Sequence, residues 1–224
     1  MTITAAADGS ALGNPGPAGW AWYVDRDNWD AGGWKHATNN IGELTAVLEL
    51  LRATAHLDDD LLILCDSQYV INCVSKWMPG WKKKGWRKAD GKPVLNVELL
   101  KEIDEAIVGR RFRFEWVKGH AGHPLNEAAD VRARAASEAF ARGASVPSGP
   151  GYGGVRGGAT PAVEPVDPAP AAEAEAEAAP SLFDLEEPVT HTLSLTLSDA
   201  ENTRLAARAR EAGLAKEAFL RSLI

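Results

Sequence analysis

The stretch from Gly143 to Pro180 sets the outer limit on what this chain can fold into. It begins GASVPSGPGYGGVRGGATP and ends PAPAAEAEAEAAP. Roughly two-thirds of it is Gly, Pro and Ala, and large apolar side chains are nearly absent. A segment of this kind cannot bury enough apolar surface to offset the entropy of ordering it. It is therefore read as a disordered linker over 143–188. The 224 residues divide accordingly into a first domain at 1–142 and a small unit at 189–224.

Charge follows the same division. The whole chain carries net charge −7, with a pI near 5.3. Residues 1–142 hold 18 Lys and Arg against 19 Asp and Glu, whereas 143–224 hold 6 against 12. The near-neutral first domain contains WMPGWKKKGWRKADGK at 77–92, where Lys82, Lys83, Lys84, Arg87, Lys88 and Lys92 face only Asp90. A basic run threaded with tryptophan suits a phosphate-bearing partner, or else a solvated face. Cys65 and Cys73 form no CxxC pair, so neither a disulfide framework nor a zinc knuckle is indicated, and reduced thiols suit the cytoplasm. The sequence MTITAAADGS does not read as a signal peptide, and no apolar run approaches the roughly 20 residues needed to span a bilayer. A soluble cytoplasmic protein is expected.

Strand and helix signals alternate through the first domain. Gly19 to Val24 is aromatic and β-rich. Glu43 to Leu57 places Leu44, Val47, Leu48 and Leu51 on one helical face. Leu61 to Cys65 reads as a buried strand, and Ser67 opens a helix to about Trp77 that Pro79-Gly80 stops. Phe112 to Val117 alternates as a strand, and Pro124 begins a helix ended by Gly143. Hairpin strands followed by α/β alternation predict an α/β fold with a mixed sheet flanked by helices.

Four acids stand out by position. Asp8 precedes Gly9-Ser10 after a short strand, Glu43 starts the first helix, Asp66 ends the strand 61–65, and Asp130 lies in the last helix. An acid at the end of a buried strand is costly unless it is paired or binds a cation. Clustered carboxylates repel one another, and a hard divalent ion relieves that repulsion. Each acid alone also fits a cap or a surface charge. Spacing by itself does not establish that the four converge.

The segments DGSALGNPGPAGW at 8–20, TNNIGEL at 38–44, CDSQYV at 65–70, WKKKGW at 81–86 and VKGHAGHPLNEAAD at 117–130 occur in the order found in type 1 ribonuclease H, which the first domain resembles. One departure is Ala7, where many relatives carry Thr. The resemblance implies a ribonuclease H-like fold with a mixed five-stranded sheet, and hydrolysis of the RNA strand of RNA/DNA hybrids to 3′-hydroxyl and 5′-phosphate ends. It further implies that Asp8, Glu43, Asp66 and Asp130 hold two Mg2+ ions, with Mn2+ as a substitute, and that His120 moves a proton or helps product leave. Asn14, Asn40 and Gln68 match positions that touch the hybrid minor groove. Thr38, Lys83 and Asn96 match a grip on a DNA phosphate, and Trp77 an aromatic that packs on deoxyribose. Trp81 and Trp86 are read as packing residues and His123 as structural, while His36, His56 and His191 are read as surface residues. A zinc site on His120 and His123 is not expected, because the cysteines are remote.

The tail reads separately. Thr190 to Leu197 alternates, Ser198-Asp199-Ala200-Glu201 forms a capping box, and Gly213 divides two helical stretches. Strand, helix and helix in this order resemble a ribbon-helix-helix module, which is an intertwined dimer because one copy is too small to make a core. Thr and Ser occupy the strand face where DNA-binding members carry cations. A homodimer or a docked partner is therefore expected from it.

Overall fold

The elements of this computed structural model run β1 (Thr2–Ala11), β2 (Gly16–Asp25), β3 (Asn28–Ala37), α1 (Asn39–Ala53), β4 (Asp60–Cys65), α2 (Gln68–Asn72), a π-helical turn (Cys73–Trp77), α3 (Met78–Lys83), α4 (Val97–Ala106), β5 (Phe112–Trp116) and α5 (Pro124–Arg142). The structure describes residues 1–157 and residue 208. One unit covers Met1–Ala179 and a second Pro180–Ile224. Apart from Arg208, the expected strand-helix-helix module, and the homodimer drawn from it, lie outside the described residues.

Five strands form a mixed sheet in the order β3-β2-β1-β4-β5. β1, β2 and β3 are antiparallel neighbours, while β4 pairs parallel to β1 and β5 parallel to β4. This is the α/β architecture expected from the sequence. β1 is central and covered on both faces, so Ala5, Ala6 and Ala7 are all buried. On one face Leu44, Val47, Leu48 and Leu51 of α1 join Ala5, Ala7 and Ile63 in the main core. Each such Leu contributes about 1.5–3 kcal/mol when fully buried. On the other face Ala129 and Ala133 of α5 meet Ala6, Leu62, Leu64 and Ala21. Small residues on α5 let that helix lie close to the strands.

Three local expectations are corrected. The first helix begins at Asn39, not Glu43, because Thr38 caps it by accepting from the Ile41 N–H at 3.4 Å. Pro79-Gly80 does not stop the second helical segment. Pro79 falls in the first turn of α3, where its missing N–H has no intrahelical partner to lose. The boundary at 142 also moves. Gly143 ends α5 in the left-handed region, as expected, but residues 143–157 then return to β3 instead of forming a disordered linker. The Gly149 N–H donates to Asp30 Oδ1 at 3.1 Å, the Gly151 N–H to the Trp29 carbonyl at 3.1 Å, and the Gly153 N–H to Asn28 Oδ1 at 2.9 Å. Composition counts side chains that can be buried. This segment is held by its backbone, whose donors find acceptors on β3, the edge strand, which pairs with β2 on its other side.

Among the described residues, no helix is long and apolar enough to cross a membrane.

Candidate active site

The parallel register of β1 and β4 builds the site. Ala6 stands opposite Leu64. Two residues further along each strand direction come Asp8, still within β1, and Asp66, just past the end of β4, so the two acids emerge side by side where the parallel pairing of these strands ends. Ligands of open α/β sheets gather at such ends. Strand alternation also places both acids on the face lined by Ala6, Leu64 and Ala129, next to Asp130 of α5.

Glu43 arrives from α1. The first turns of that helix lie directly on β1 at Gly9, where an added Cβ would stand 2.4 Å from the Glu43 backbone nitrogen. With no side chain at residue 9, Glu43 comes down beside Asp8. Ligand atoms of Asp8, Glu43 and Asp66 all lie within 4.8 Å of one another. Asp130 and His120 complete the wall of an open cleft of about 380 Å3, with Ser10, Asn39 and Arg134 at its edge. The Lys118-Gly119-His120 segment passes so close to Asp66 that a Cβ on Gly119 would meet Asp66 Oδ2 at 2.5 Å. His120 itself is exposed, holds a positive φ of 51°, and places Nδ1 3.6 Å from Asp130 Oδ2.

Burial governs the electrostatics. Asp8 is pushed up to about 8, first by burial and then by the charge of Asp66, while its bond from the Gly9 N–H (2.7 Å) opposes the rise. Glu43 is pushed up to about 7, again chiefly by burial. Hydrogen bonds from Ser67 Oγ at 2.5 Å and Asn39 Nδ2 at 2.8 Å oppose this, and the charge of Asp66 reinforces it. A set of oxygen donors that repel one another when ionised fits a hard divalent cation, which relieves the repulsion.

A stability prediction follows from the direction of these shifts. A carboxyl whose pKa is raised by folding stabilises the fold below its unfolded value, and that contribution is lost as pH rises through the folded value. Asp30 and Glu49, also raised by burial, act in the same direction. The metal-free protein is expected to lose thermal stability between about pH 5 and about pH 8, and Mg2+ to restore it mainly at the upper end. Scanning calorimetry at both pH values, with Mg2+ and with chelator, checks this. A Tm indifferent to pH and metal refutes it.

The remaining expected residues are placed as follows. Asn14, in the β1–β2 turn, accepts from the Asn39 N–H at 3.0 Å. Asn40 is half-buried in the first turn of α1, and Gln68 is exposed at the start of α2. A second cluster forms around Tyr69. Asn96 Nδ2 approaches its hydroxyl at 3.4 Å, and Trp77 meets its ring edge-on at 6.4 Å. Trp77 also leans on Trp81, and Trp81 and Trp86 pack against the core as expected. Lys83 is exposed at the end of α3. Thr38 is occupied as the cap of α1. His123 is at the cap position of α5, but its imidazole makes no capping bond.

Sequence reasoning misses several residues that touch the acids. Ser67 reads only as a helix opener, yet it bonds Glu43. Asn39 is an i,i+4 partner of Glu43, a signal hidden by placing the helix start four residues late. Asn126, buried in α5, reaches Asp66 Oδ2 at 3.4 Å, and Trp116 Nε1 donates to the Asp66 carbonyl at 3.0 Å.

Comparison with known proteins agrees with this geometry. The RNase H family pattern matches residues 1–138. A ribonuclease H of Tropheryma whipplei is 61% identical over 151 residues, covering 67% of this chain and 93% of that protein. A ribonuclease HI of Streptomyces coelicolor is 50% identical over 142 residues, covering 60% of each. Among solved structures, LC9-RNase H1, described as a type 1 RNase H with the type 2 active-site motif, superposes with a TM-score of 0.54 at 27% identity, covering 67% of this chain and 77% of that one. With a five-stranded mixed sheet, three converging carboxylates and a family match that spans both, this chain belongs to the type 1 ribonuclease H family.

Proposed function

We propose that this ribonuclease H hydrolyses the RNA strand of RNA/DNA hybrids at the cleft formed by Asp8, Glu43, Asp66 and Asp130, with two Mg2+ ions as the resident metals and Mn2+ as a substitute. The observation that carries this reading is the convergence of ligand atoms from Asp8, Glu43 and Asp66 within 4.8 Å. When bound, such a metal pair supplies an activated water and charge stabilisation at the leaving 3′-oxygen, giving 3′-hydroxyl and 5′-phosphate ends. Asp8 holds one side of the site from within β1 and Asp66 from just past the end of β4, and Glu43 and Asp130 close it from helices. His120, exposed beside Asp130, accepts or returns a proton at Nδ1 as product leaves.

Substrate choice is assigned to the surrounding amides. Asn14, Asn40 and Gln68 face the minor groove, where amide groups can donate to and accept from the 2′-hydroxyl that marks RNA. Because Asn14 Oδ1 is committed to the Asn39 N–H, its Nδ2 is the group left for that contact. Thr38, Lys83 and Asn96 take a phosphate of the DNA strand, and Trp77 packs on the deoxyribose. Hybrid cleavage tests the whole reading. With Mg2+, a labelled RNA strand should be cut only when paired to DNA, its DNA partner should stay intact, and chelator should stop the reaction. An intact hybrid with Mg2+ present overturns it.

The basic segment has a narrower role than its composition suggests. Lys82 is paired with Asp104 at 2.6 Å, so Lys83 and Lys84 are assigned to phosphate. Replacing both with Ala should weaken hybrid binding and lower the slope of log K against log salt by about one unit for each phosphate left without its lysine. Turnover at saturating hybrid should change little. Binding measured across a salt series, beside kcat, checks this; a large fall in kcat with unchanged binding refutes it.

A further inference from the structure

Glu43 differs from the strand-borne acids in how it is held. Asp8 and Asp66 are placed by the register of the sheet, but Glu43 hangs from a helix on a longer, more flexible side chain. Its carboxylate lies within 4.8 Å of two others that repel it when ionised. Left to itself, such a side chain would swing toward solvent.

Two neutral donors from different elements prevent this. Ser67 Oγ, immediately after Asp66, donates to Glu43 Oε2 at 2.5 Å, a length typical of a charge-assisted bond. Asn39 Nδ2, one turn before Glu43, donates to Oε1 at 2.8 Å. The Asn39 N–H is itself held by Asn14 Oδ1 in the β1–β2 turn. One line of hydrogen bonds thus joins that turn, the start of α1 and the start of α2, with Glu43 at its centre. The serine's other bond, accepted from the Val70 N–H, is long at 3.4 Å, so its short contact is the one to the acid.

We propose that Ser67 and Asn39 are positioning residues: they hold Glu43 in its ligand conformation before a cation arrives. The inference rests on the reading of Glu43 as a metal ligand. Removing partners that orient a metal ligand commonly weakens metal binding by about 10–100-fold.

The test titrates Mg2+ calorimetrically into the full chain without nucleic acid. Ser67→Ala is expected to weaken binding at least about tenfold, and Ser67→Thr, which keeps the hydroxyl, to stay within about threefold of wild type. Asn39→Ala should weaken binding in the same direction. Raising Mg2+ should restore kcat in Ser67→Ala while the KM for hybrid stays at the wild-type value. Wild-type Mg2+ affinity in Ser67→Ala overturns the inference, as does a lowered Tm with affinity intact, because either marks Ser67 as a helix cap only. A different failure marks the underlying reading. If wild type and Glu43→Gln take up Mg2+ equally, Glu43 is not a ligand.

Discussion

Asp66→Asn is expected to reduce hybrid cleavage by at least about three orders of magnitude, corresponding to about 4 kcal/mol of lost transition-state stabilisation. Asp66 stands between the other acids, and its charge raises the pKa of both Asp8 and Glu43. The substitution keeps the shape of the side chain and leaves the backbone carbonyl that Trp116 uses untouched. The fold should therefore survive. Removing a charge from a repelling cluster should in fact raise the Tm of the metal-free protein, while the extra stability conferred by Mg2+ shrinks. Single-turnover cleavage and calorimetry on the same sample separate loss of function from loss of fold. Retention of activity within tenfold would remove Asp66 from the site.

Gly9→Ala is expected to damage both stability and turnover. An alanine Cβ would lie 2.4 Å from the Glu43 nitrogen and 2.7 Å from the Gly42 carbonyl carbon. Both are backbone atoms of α1, so no side chain can yield; the helix itself must move away from β1. Forcing extra volume into a packed contact costs about 1–3 kcal/mol. For a domain of this size each kcal/mol lowers the Tm by about 2–4 °C. The same displacement carries Glu43 away from Asp8, and a misplacement of about 1 Å can cost about a hundredfold in rate. Thermal melts and kcat should fall together, and the KM for hybrid should rise with them, because the displaced turn of α1 carries Asn40, is capped by Thr38 and is tied to Asn14. A Gly9→Ala protein with wild-type Tm and kcat would show that α1 has room the geometry denies it.

Several elements were legible in the sequence because their signals are local. The apolar stripe Leu44, Val47, Leu48 and Leu51 marks a helix by its spacing, and the run Leu61 to Cys65 marks a buried strand by its length. Boundaries were less legible. The start of α1 is decided by a Thr38 hydroxyl and the placement of Asn39 against Asn14, a contact made across the β1–β2 turn. The helical segment after Ser67 passes through a π-helical turn and then through Pro79 because a new helix begins there. The return of residues 149–153 to β3 was invisible for a similar reason. Its bonds run between backbone groups and an edge strand remote in sequence, and composition carries no record of them.

The candidate site divides along the same line. The sequence by itself determined which residues could do the chemistry: Asp8, Glu43, Asp66, Asp130 and His120 lie in segments whose motifs resemble type 1 ribonuclease H in content and order. It also determined the alternation of strand and helix, since period and capping act over a few residues. Only the tertiary structure decided that the acids meet. The parallel register pairing Ala6 with Leu64 sets Asp8 beside Asp66, and a bare Gly9 lets α1 bring Glu43 down to them. Only the tertiary structure recruited Ser67 and Asn39 as donors to Glu43. Register and close approach are properties of two elements together, so neither is written in the spacing of either one.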